Sequence, residues 1–447
     1  MSEAATTPDQ QPWYDVQNGI LDRRIFTDPS IYQAELEKIF ARAWNFMCHE
    51  SQIPETGDFF MNFIGEDEVI VVRDREGGIQ VLLNSCPHRG NTVCRAEIGK
   101  TNSFLCSYHG WNYDLTGKLI GMPGEDTFYR NDIDKEAWGL GKAAKVESYK
   151  GFVFATMDEH APALEDYLGW VGRVGIDMLA SKGKLVALDG VQKNRIKCNW
   201  KLAVDNLYDW YHVKVSHGSA LRVGLLSEEG MAPERQMVML GEYGHGIGGP
   251  GITEEEQAEF DARMAAGDEE NSQWYDINAI RRMDPAMREA LGPVGNRSYG
   301  HPNIFPNLWV ALTNQICLRI PRGPYETELW WFTFMHEEAS EETRRMTLFQ
   351  ANHIFGPAGL LEQDDGENWS HSTRGAMGAV TRKRPLNFAM GQGHDQVLDD
   401  ESGQSRIETV VNEHGQRWTY QSWQEWMLAN SWQELIANHS QPPKGAV

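Results

Sequence analysis

Cys86-Pro87-His88 and, after seventeen intervening residues, Cys106-Ser107-Tyr108-His109 each offer a thiolate and an imidazole a few residues apart. Each pair is followed by a glycine, Gly90 and Gly110, so both segments read as turns between strands. Two such turns facing one another would bring two sulfurs and two ring nitrogens to one site. Tetrahedral zinc takes that donor set. A [2Fe–2S] cluster takes it too, with both thiolates on one iron and both imidazoles on the other. Neutral imidazoles in place of thiolates reduce the negative charge and raise the reduction potential, which makes an electron carrier. Zinc ribbons and fingers favour cysteines two to four residues apart, a spacing absent here. Cys94 has no histidine at ligand spacing and, with Cys48, Cys198 and Cys317, reads as a small buried apolar side chain. Tyr108 and Trp111 fit either a shield over the cluster or ordinary core packing.

A second group lies in the aromatic-rich stretch from Asn199 to His217. Asp209 and His212, three apart, share one face of a helix. His217 is five beyond His212, so both imidazoles reach one metal only if the helix widens, bends or ends between them, and Gly218 suits an ending. Two unrelated histidines among packed aromatics is the plainer alternative. Two histidines and one carboxylate on one face is the donor set of oxygen-activating mononuclear iron. The missing carboxylate is sought in Phe355–Trp369, where Glu362, Asp364, Asp365 and Glu367 fall within six residues, on a helix started by Pro357.

The elements that must position these groups follow from patterning. At roughly 150 residues per domain, 447 residues suggest two to three domains with a large core. Residues 1–39 are polar and mixed, with a short helix at Tyr32–Phe40. Residues 40–158 read as strands and turns, with Val69–Arg73 and Ile79–Leu83 forming a hairpin and Gly151–Thr156 a further strand. Residues 159–447 mix helical stretches (199–215, 253–266, 356–375, 421–438) with strands (307–320, 328–336). Gly244-His245-Gly246-Ile247-Gly248-Gly249 matches the dinucleotide fingerprint, but Pro250 and Gly251 follow it and no second strand with an acidic end does, so it reads as a flexible surface loop. The acidic stretch 249–275 reads as a mobile loop or lid.

With 41 Lys+Arg against 64 Asp+Glu, the formal charge of −23 disfavours nucleic acid and anionic lipid as partners. No run reaches the roughly 18 consecutive apolar residues of a membrane span, and the start Met1-Ser2-Glu3-Ala4 lacks the basic and apolar regions of a signal peptide. A cytoplasmic location is expected, where six sparse cysteines stay reduced.

Taken in order, Cys86-Pro87-His88-Arg89-Gly90 with Cys106-Ser107-Tyr108-His109-Gly110-Trp111 and Gly117, then Asn206-x2-Asp209-x2-His212-x4-His217, then Gly356-Pro357-Ala358-Gly359 with Asp364-Asp365, the chain resembles the catalytic α subunits of Rieske non-heme iron aromatic-ring-hydroxylating dioxygenases over about residues 85–375. The resemblance implies an α+β fold: an all-β Rieske domain, and a catalytic domain of antiparallel sheet flanked by helices (helix-grip, Bet v1-like). It implies a [2Fe–2S] cluster on Cys86, His88, Cys106 and His109, and mononuclear Fe(II) on His212, His217 and Asp365, with Asp364 as the alternative. It implies that Asp209 bridges His109 of one subunit to His212 of its neighbour in a trimeric ring, a carboxylate accepting from both imidazoles. Asn206, Leu207, Val213, His301, Asn303 and Phe355 would line the substrate pocket. The implied reaction is cis-dihydroxylation of an aromatic hydrocarbon or aromatic carboxylate with O2, with a Rieske monooxygenase or demethylase as the alternative. The chain has no nucleotide or flavin fold, so electrons from NAD(P)H would arrive through a ferredoxin or reductase. A small β subunit would complete an α3β3 assembly, or α3 without it. The two-residue gap between Asn206 and Asp209 is the family's shorter form, seen among enzymes acting on aromatic acids. A carboxylate substrate would need a buried cation at the pocket, for which Arg222, Arg281 and Arg282 are considered.

Overall fold

Asp67–Arg73 and Ile79–Leu83 pair antiparallel, and Asp74 ties their turn by accepting the backbone N–H groups of Glu76 and Gly78. Asp58–Ile64 and Ile98–Lys100 extend this hairpin to a four-stranded sheet. Asn45–His49, Phe152–Thr156 and Lys145–Tyr149 form a second sheet, and Phe104–Leu105, Asn112–Tyr113 and Leu119–Gly121 a third. Side chains from these sheets, among them Ile70, Val72, Leu82, Trp111 and Tyr113, bury Cys86 and Cys106 in one apolar cluster. The structure, a computed structural model, describes residues 12–447 apart from 182, 226–234, 267–283, 312 and 401–402.

The second half is built on one antiparallel sheet of ten strands among the described residues. Its middle runs Thr327–His336, Gln315–Pro321, Leu308–Ala311, His301–Ile304, Gly246–Pro250 and Gln236–Leu240. Helices Leu164–Ala180, Trp200–Asp205, Leu360–Met377 and His414–Leu428 lie against it. This is the α+β architecture expected, an all-β part beside an antiparallel sheet flanked by helices. The two halves share a core, in which Phe46 meets Phe332 edge-on with ring centroids 5.5 Å apart. No helix among the described residues is long and apolar enough to cross a membrane.

The start of the described chain is clamped to the second half. Glu35, at the end of helix Pro29–Glu35, is fully buried and accepts from Trp423 (2.8 Å), Trp200 (2.9 Å) and Lys201. The pair is buried, so each charge depends on the other to offset its lost hydration.

Several local expectations are corrected. Residues 199–215 are not one helix: Trp200–Asp205 passes through a tighter turn at Asn206–Tyr208, stops, and resumes as Val213–Ser216. Residues 421–438 belong to two helices, His414–Leu428 and Trp432–Asn438, the second capped by the Ser431 side chain. The helix placed at Pro357 begins at Leu360, because Gly356–Gly359 closes its own turn, the Gly359 N–H donating to the Gly356 carbonyl at 2.9 Å. Gly246–Pro250 is a fully buried strand, not a surface loop. Its glycines are required by what lies on them: a Cβ on Gly248 would sit 2.8 Å from the Tyr208 ring, and one on Gly249 2.3 Å from Trp210 Nε1. Within the supposed lid 249–275, Glu254–Ala265 is a helix, and residues 267–275 fall outside the described residues.

Candidate metal centres

Both Cys/His turns have the same local construction. The Cys86 N–H donates to the Asn91 carbonyl (2.9 Å) and the Gly90 N–H to the Cys86 carbonyl (2.7 Å). The Cys106 N–H donates to the Trp111 carbonyl (2.8 Å) and the Gly110 N–H to the Cys106 carbonyl (2.9 Å). The turns face each other: the His88 and His109 rings are 4.5 Å apart at 73°. His88 stacks flat on Trp111, 5.0 Å between centroids, whereas Tyr108 is 58% exposed and so lies outside the core.

The donor atoms suit a cluster. Cys86 Sγ lies 3.0 Å from the Tyr113 hydroxyl, and the Asn91 amide points at Cys106 Sγ at 3.6 Å. Burial raises both thiols; at Cys106 the N–H of Tyr108 and the Asn91 amide outweigh it and hold the group below its ordinary value, whereas Cys86 stays above its own. Burial, then the charges of His109 and Arg89, keep the His88 imidazole low and neutral, and its Nδ1 is buried with no hydrogen-bond partner. A neutral ring with a free lone pair is a metal ligand in waiting. Cys94 donates to the Ala96 carbonyl and packs in the same core, apart from this set.

The second centre depends on the break in the 199–217 segment. Tyr208 and Trp210 lie on the glycine strand, the Trp210 indole N–H donating to the Gly248 carbonyl at 3.0 Å. This anchors the chain just before a single helical turn, Val213–Ser216, with His212 and His217 at its two ends. Five residues apart, the imidazoles bracket that turn. His212 Nε2 and His217 Nε2 are 3.2 Å apart, and Asp365 Oδ1 lies 3.3 Å from the first and 3.4 Å from the second. Donors about 2.1 Å from one ion and at right angles would be about 3.0 Å apart, so this spacing fits a single metal. Among the described residues, these three form the group of at least three His, Cys, Asp or Glu donors that could hold one ion.

The far nitrogens are held as well. His217 Nδ1 is 3.3 Å from Asp364 Oδ2, which also accepts from the Ser219 hydroxyl at 2.8 Å, so Asp364 faces the back of His217. His212 Nδ1 contacts the Asp209 carbonyl and lies 3.5 Å from Asp209 Oδ1, itself buried without a hydrogen-bond donor. Burial would lower the His212 imidazole, but Asp209 and Asp365 outweigh it and push it up to about 10. That balance marks a place that attracts positive charge.

His212, His217 and Asp365 line a cavity of about 260 Å³. Asn206, Leu207, Val213, His301 and Phe355 line it. Asn303 does not. It shares a strand face with His301, but its amide is carried one step further, beneath Tyr208 and away from the cavity. His301 is wedged 4.7 Å from Trp210 and 4.8 Å from Trp309, and burial, with the charges of Arg319 and His212, takes its imidazole down to about 3. Phe355 stacks on Trp331 at 9°, centroids 5.1 Å apart.

The sequence reading missed Trp309, Arg319, Phe349 and Glu362 among the walls. Arg319 had a signal: in Gln315–Pro321 it is the one charge in an otherwise buried strand. Arg222 is exposed on a short helix and outside the walls, and Arg281 and Arg282 fall outside the described residues.

Comparison with known proteins matches residues 43–149 to the Rieske [2Fe-2S] domain and residues 171–429 to the ring hydroxylating alpha subunit (catalytic domain). The chain is 37% identical to biphenyl 2,3-dioxygenase subunit alpha from Rhodococcus jostii, covering 95% of this chain and 92% of that one. It is 35% identical to a benzene 1,2-dioxygenase subunit alpha from Pseudomonas putida, covering 96% of each. Among solved structures it superposes on a naphthalene 1,2-dioxygenase variant bound to phenanthrene with a TM-score of 0.83 at 29% identity, over 97% of both chains.

Proposed function

The chain belongs to the α-subunit family of aromatic ring-hydroxylating dioxygenases, with a Rieske [2Fe–2S] cluster and a mononuclear iron as cofactors, and from that premise we propose which of its residues do what. Cys86 and Cys106 hold one iron of the cluster and His88 and His109 the other. His212, His217 and Asp365 hold the mononuclear iron, and the observation that carries this is their 3.2–3.4 Å mutual spacing in the wall of a largely apolar cavity. When bound, the cluster supplies electrons and the mononuclear iron the site where O2 is reduced, so that both oxygens reach one face of an aromatic ring.

The chain's own residues orient and enclose. Asp364 accepts from His217 Nδ1 and fixes that ring's rotation, leaving Nε2 for the metal. Leu207, Val213, Trp309, Ile354 and Phe355 give a flat apolar slot that selects an aromatic ring and excludes bulk water. His301, kept neutral, presents a polar group to the ring without adding a charge of its own.

Asp209 is the electron bridge. Its Oδ1 lies 3.5 Å from His212 Nδ1 while the side chain stays 23% exposed, and we assign its exposed side to His109 of a neighbouring copy in an α3 ring, with or without a small β subunit as α3β3. A ferredoxin, a reductase or both carry electrons from NAD(P)H, and we place the reaction in the cytoplasm, where that reductant is made. The names of the relatives, biphenyl, benzene and naphthalene dioxygenases, support an aromatic ring as substrate.

The test is turnover of biphenyl and naphthalene by the holoenzyme with a ferredoxin and reductase under labelled O2. A cis-diol carrying two labelled oxygens, with three irons per chain, is expected. One labelled oxygen per product would assign a monooxygenase instead.

A further inference from the structure

Arg319 is the feature of the cavity that an apolar ring leaves unanswered. Its side chain is 1% exposed and lines the cavity. Nε and Nη1 are buried without any hydrogen-bond partner, and the guanidinium carbon lies 5.1 Å over the Trp309 ring. Its backbone is satisfied, exchanging hydrogen bonds with Asn307 at 3.1 and 2.7 Å, so the strand fixes where the side chain starts. A guanidinium carries five donors and stays charged. Buried without an acceptor, such a cation costs several kcal/mol, and folded proteins pair it.

The available counter-charges do not pair it. No ion pair within 4.0 Å forms between Arg319 and a carboxylate among the described residues. Glu362, also in the cavity wall, accepts from Trp331 and Asn194 on Oε1, each at 3.4 Å, and burial, then Asp365, push its carboxyl up to about 8 against the opposing charge of Arg319, which lies beyond ion-pair distance. Asp365 faces the two imidazoles. The Tyr208 hydroxyl is directed to Thr419 and the Asn303 amide. The missing acceptor therefore enters through the cavity.

Resting on the reading of this cavity as the substrate site, we propose that Arg319 determines specificity by receiving a carboxylate carried on the aromatic substrate, its forked N–H donors taking the two oxygens while the ring lies between Phe355, Trp309 and the His212–His217–Asp365 group. A planar carboxylate conjugated to a ring matches a planar guanidinium held 5.1 Å over an indole. The substituent then fixes which edge of the ring faces the metal, because the two anchors sit at different walls of one slot.

The probes are naphthalene and 2-naphthoate, titrated calorimetrically into the holoenzyme without reductant. A charge-assisted hydrogen bond worth about 1.5–3 kcal/mol converts to a preference of roughly ten- to a hundredfold for 2-naphthoate. In Arg319→Gln that preference should collapse to one or below, and in Arg319→Lys it should persist in reduced form. A wild type that binds naphthalene as tightly as 2-naphthoate, or an Arg319→Gln variant that keeps the preference, overturns the proposal. If Arg319→Gln does not fold, the wild-type ratio alone decides it. Binding of neither probe, with no diol from either, instead overturns the reading of the cavity as the substrate site.

Discussion

His212 and His217 place their Nε2 atoms 3.2 Å apart although five residues separate them. An uninterrupted helix would set these rings on different faces. The chain stops at Asp209–Tyr211, makes one turn over Val213–Ser216 and ends at His217, so the ring nitrogens converge on Asp365 from helix Leu360–Met377. Removing any of the three donors should empty the mononuclear site alone. His212→Ala, His217→Ala and Asp365→Ala should each lower the iron content from three to two per chain and abolish diol formation, while the visible spectrum of the cluster persists. Elemental analysis beside absorbance checks this. Loss of the cluster spectrum in the same variants would count against two independent centres.

Asp209 is expected to matter for electron arrival rather than for metal retention. Asp209→Asn keeps the size of the side chain but removes the charge facing His212 Nδ1 at 3.5 Å. Iron content should stay at three per chain, and turnover should fall by about ten- to a hundredfold or more. Rapid mixing of the reduced enzyme with substrate and O2 should show slowed oxidation of the cluster. Cluster oxidation at the wild-type rate would remove Asp209 from the path.

The ligand motifs were readable because each is local: a Cys-x-His and a Cys-x2-His need only one turn to set their geometry. The carboxylate was also readable in outline, and helical phase separates the two candidates. Leu361, Glu362, Asp365, Gly366 and Trp369 form the buried face, leaving Asp364 to the side, against the back of His217. What could not be read depends on contacts across long stretches of sequence. Nothing near Glu35 announces Lys201 or Trp423 as its partners. The glycines of 246–249 look like a loop until Tyr208 and Trp210 are seen to occupy the space their side chains would fill.

The Tyr113 hydroxyl, 3.0 Å from Cys86 Sγ, should tune the cluster. A hydrogen bond to a ligand sulfur draws off negative charge and stabilises the reduced state more than the oxidised one. Tyr113→Phe removes the bond with little change of shape in a fully buried site. At about 1 kcal/mol of differential stabilisation, the potential should fall by roughly 40 mV. Redox titration followed by EPR measures it, and an unchanged potential with intact cluster content would mean that the hydroxyl does not donate to the sulfur.

His245 should give the fold an acid sensitivity remote from either metal. It is fully buried on the glycine-rich side of the sheet. Its Nε2 donates to the Tyr167 carbonyl at 2.8 Å, and its Nδ1 accepts from the Phe305 N–H at 3.0 Å. That pairing fixes the neutral tautomer, because a proton on Nδ1 would face another donor. Burial, only partly opposed by the bond to Tyr167, lowers the imidazole from 6.5 to about 4. The folded value lies below the unfolded one, so the unfolded chain takes up the proton first. Stability from this residue is therefore present above about pH 6.5 and is lost as the pH falls toward 4, at up to about 1.4 kcal/mol per pH unit. His245→Gln keeps a donor and an acceptor but cannot titrate. It should be less stable than the wild type at pH 7 and lose less between pH 6.5 and 5, read as the shift in urea midpoint at each pH. Equal pH slopes in the two proteins would show that His245 takes up its proton as readily in the fold as in the unfolded chain, against the tautomer its two backbone partners impose.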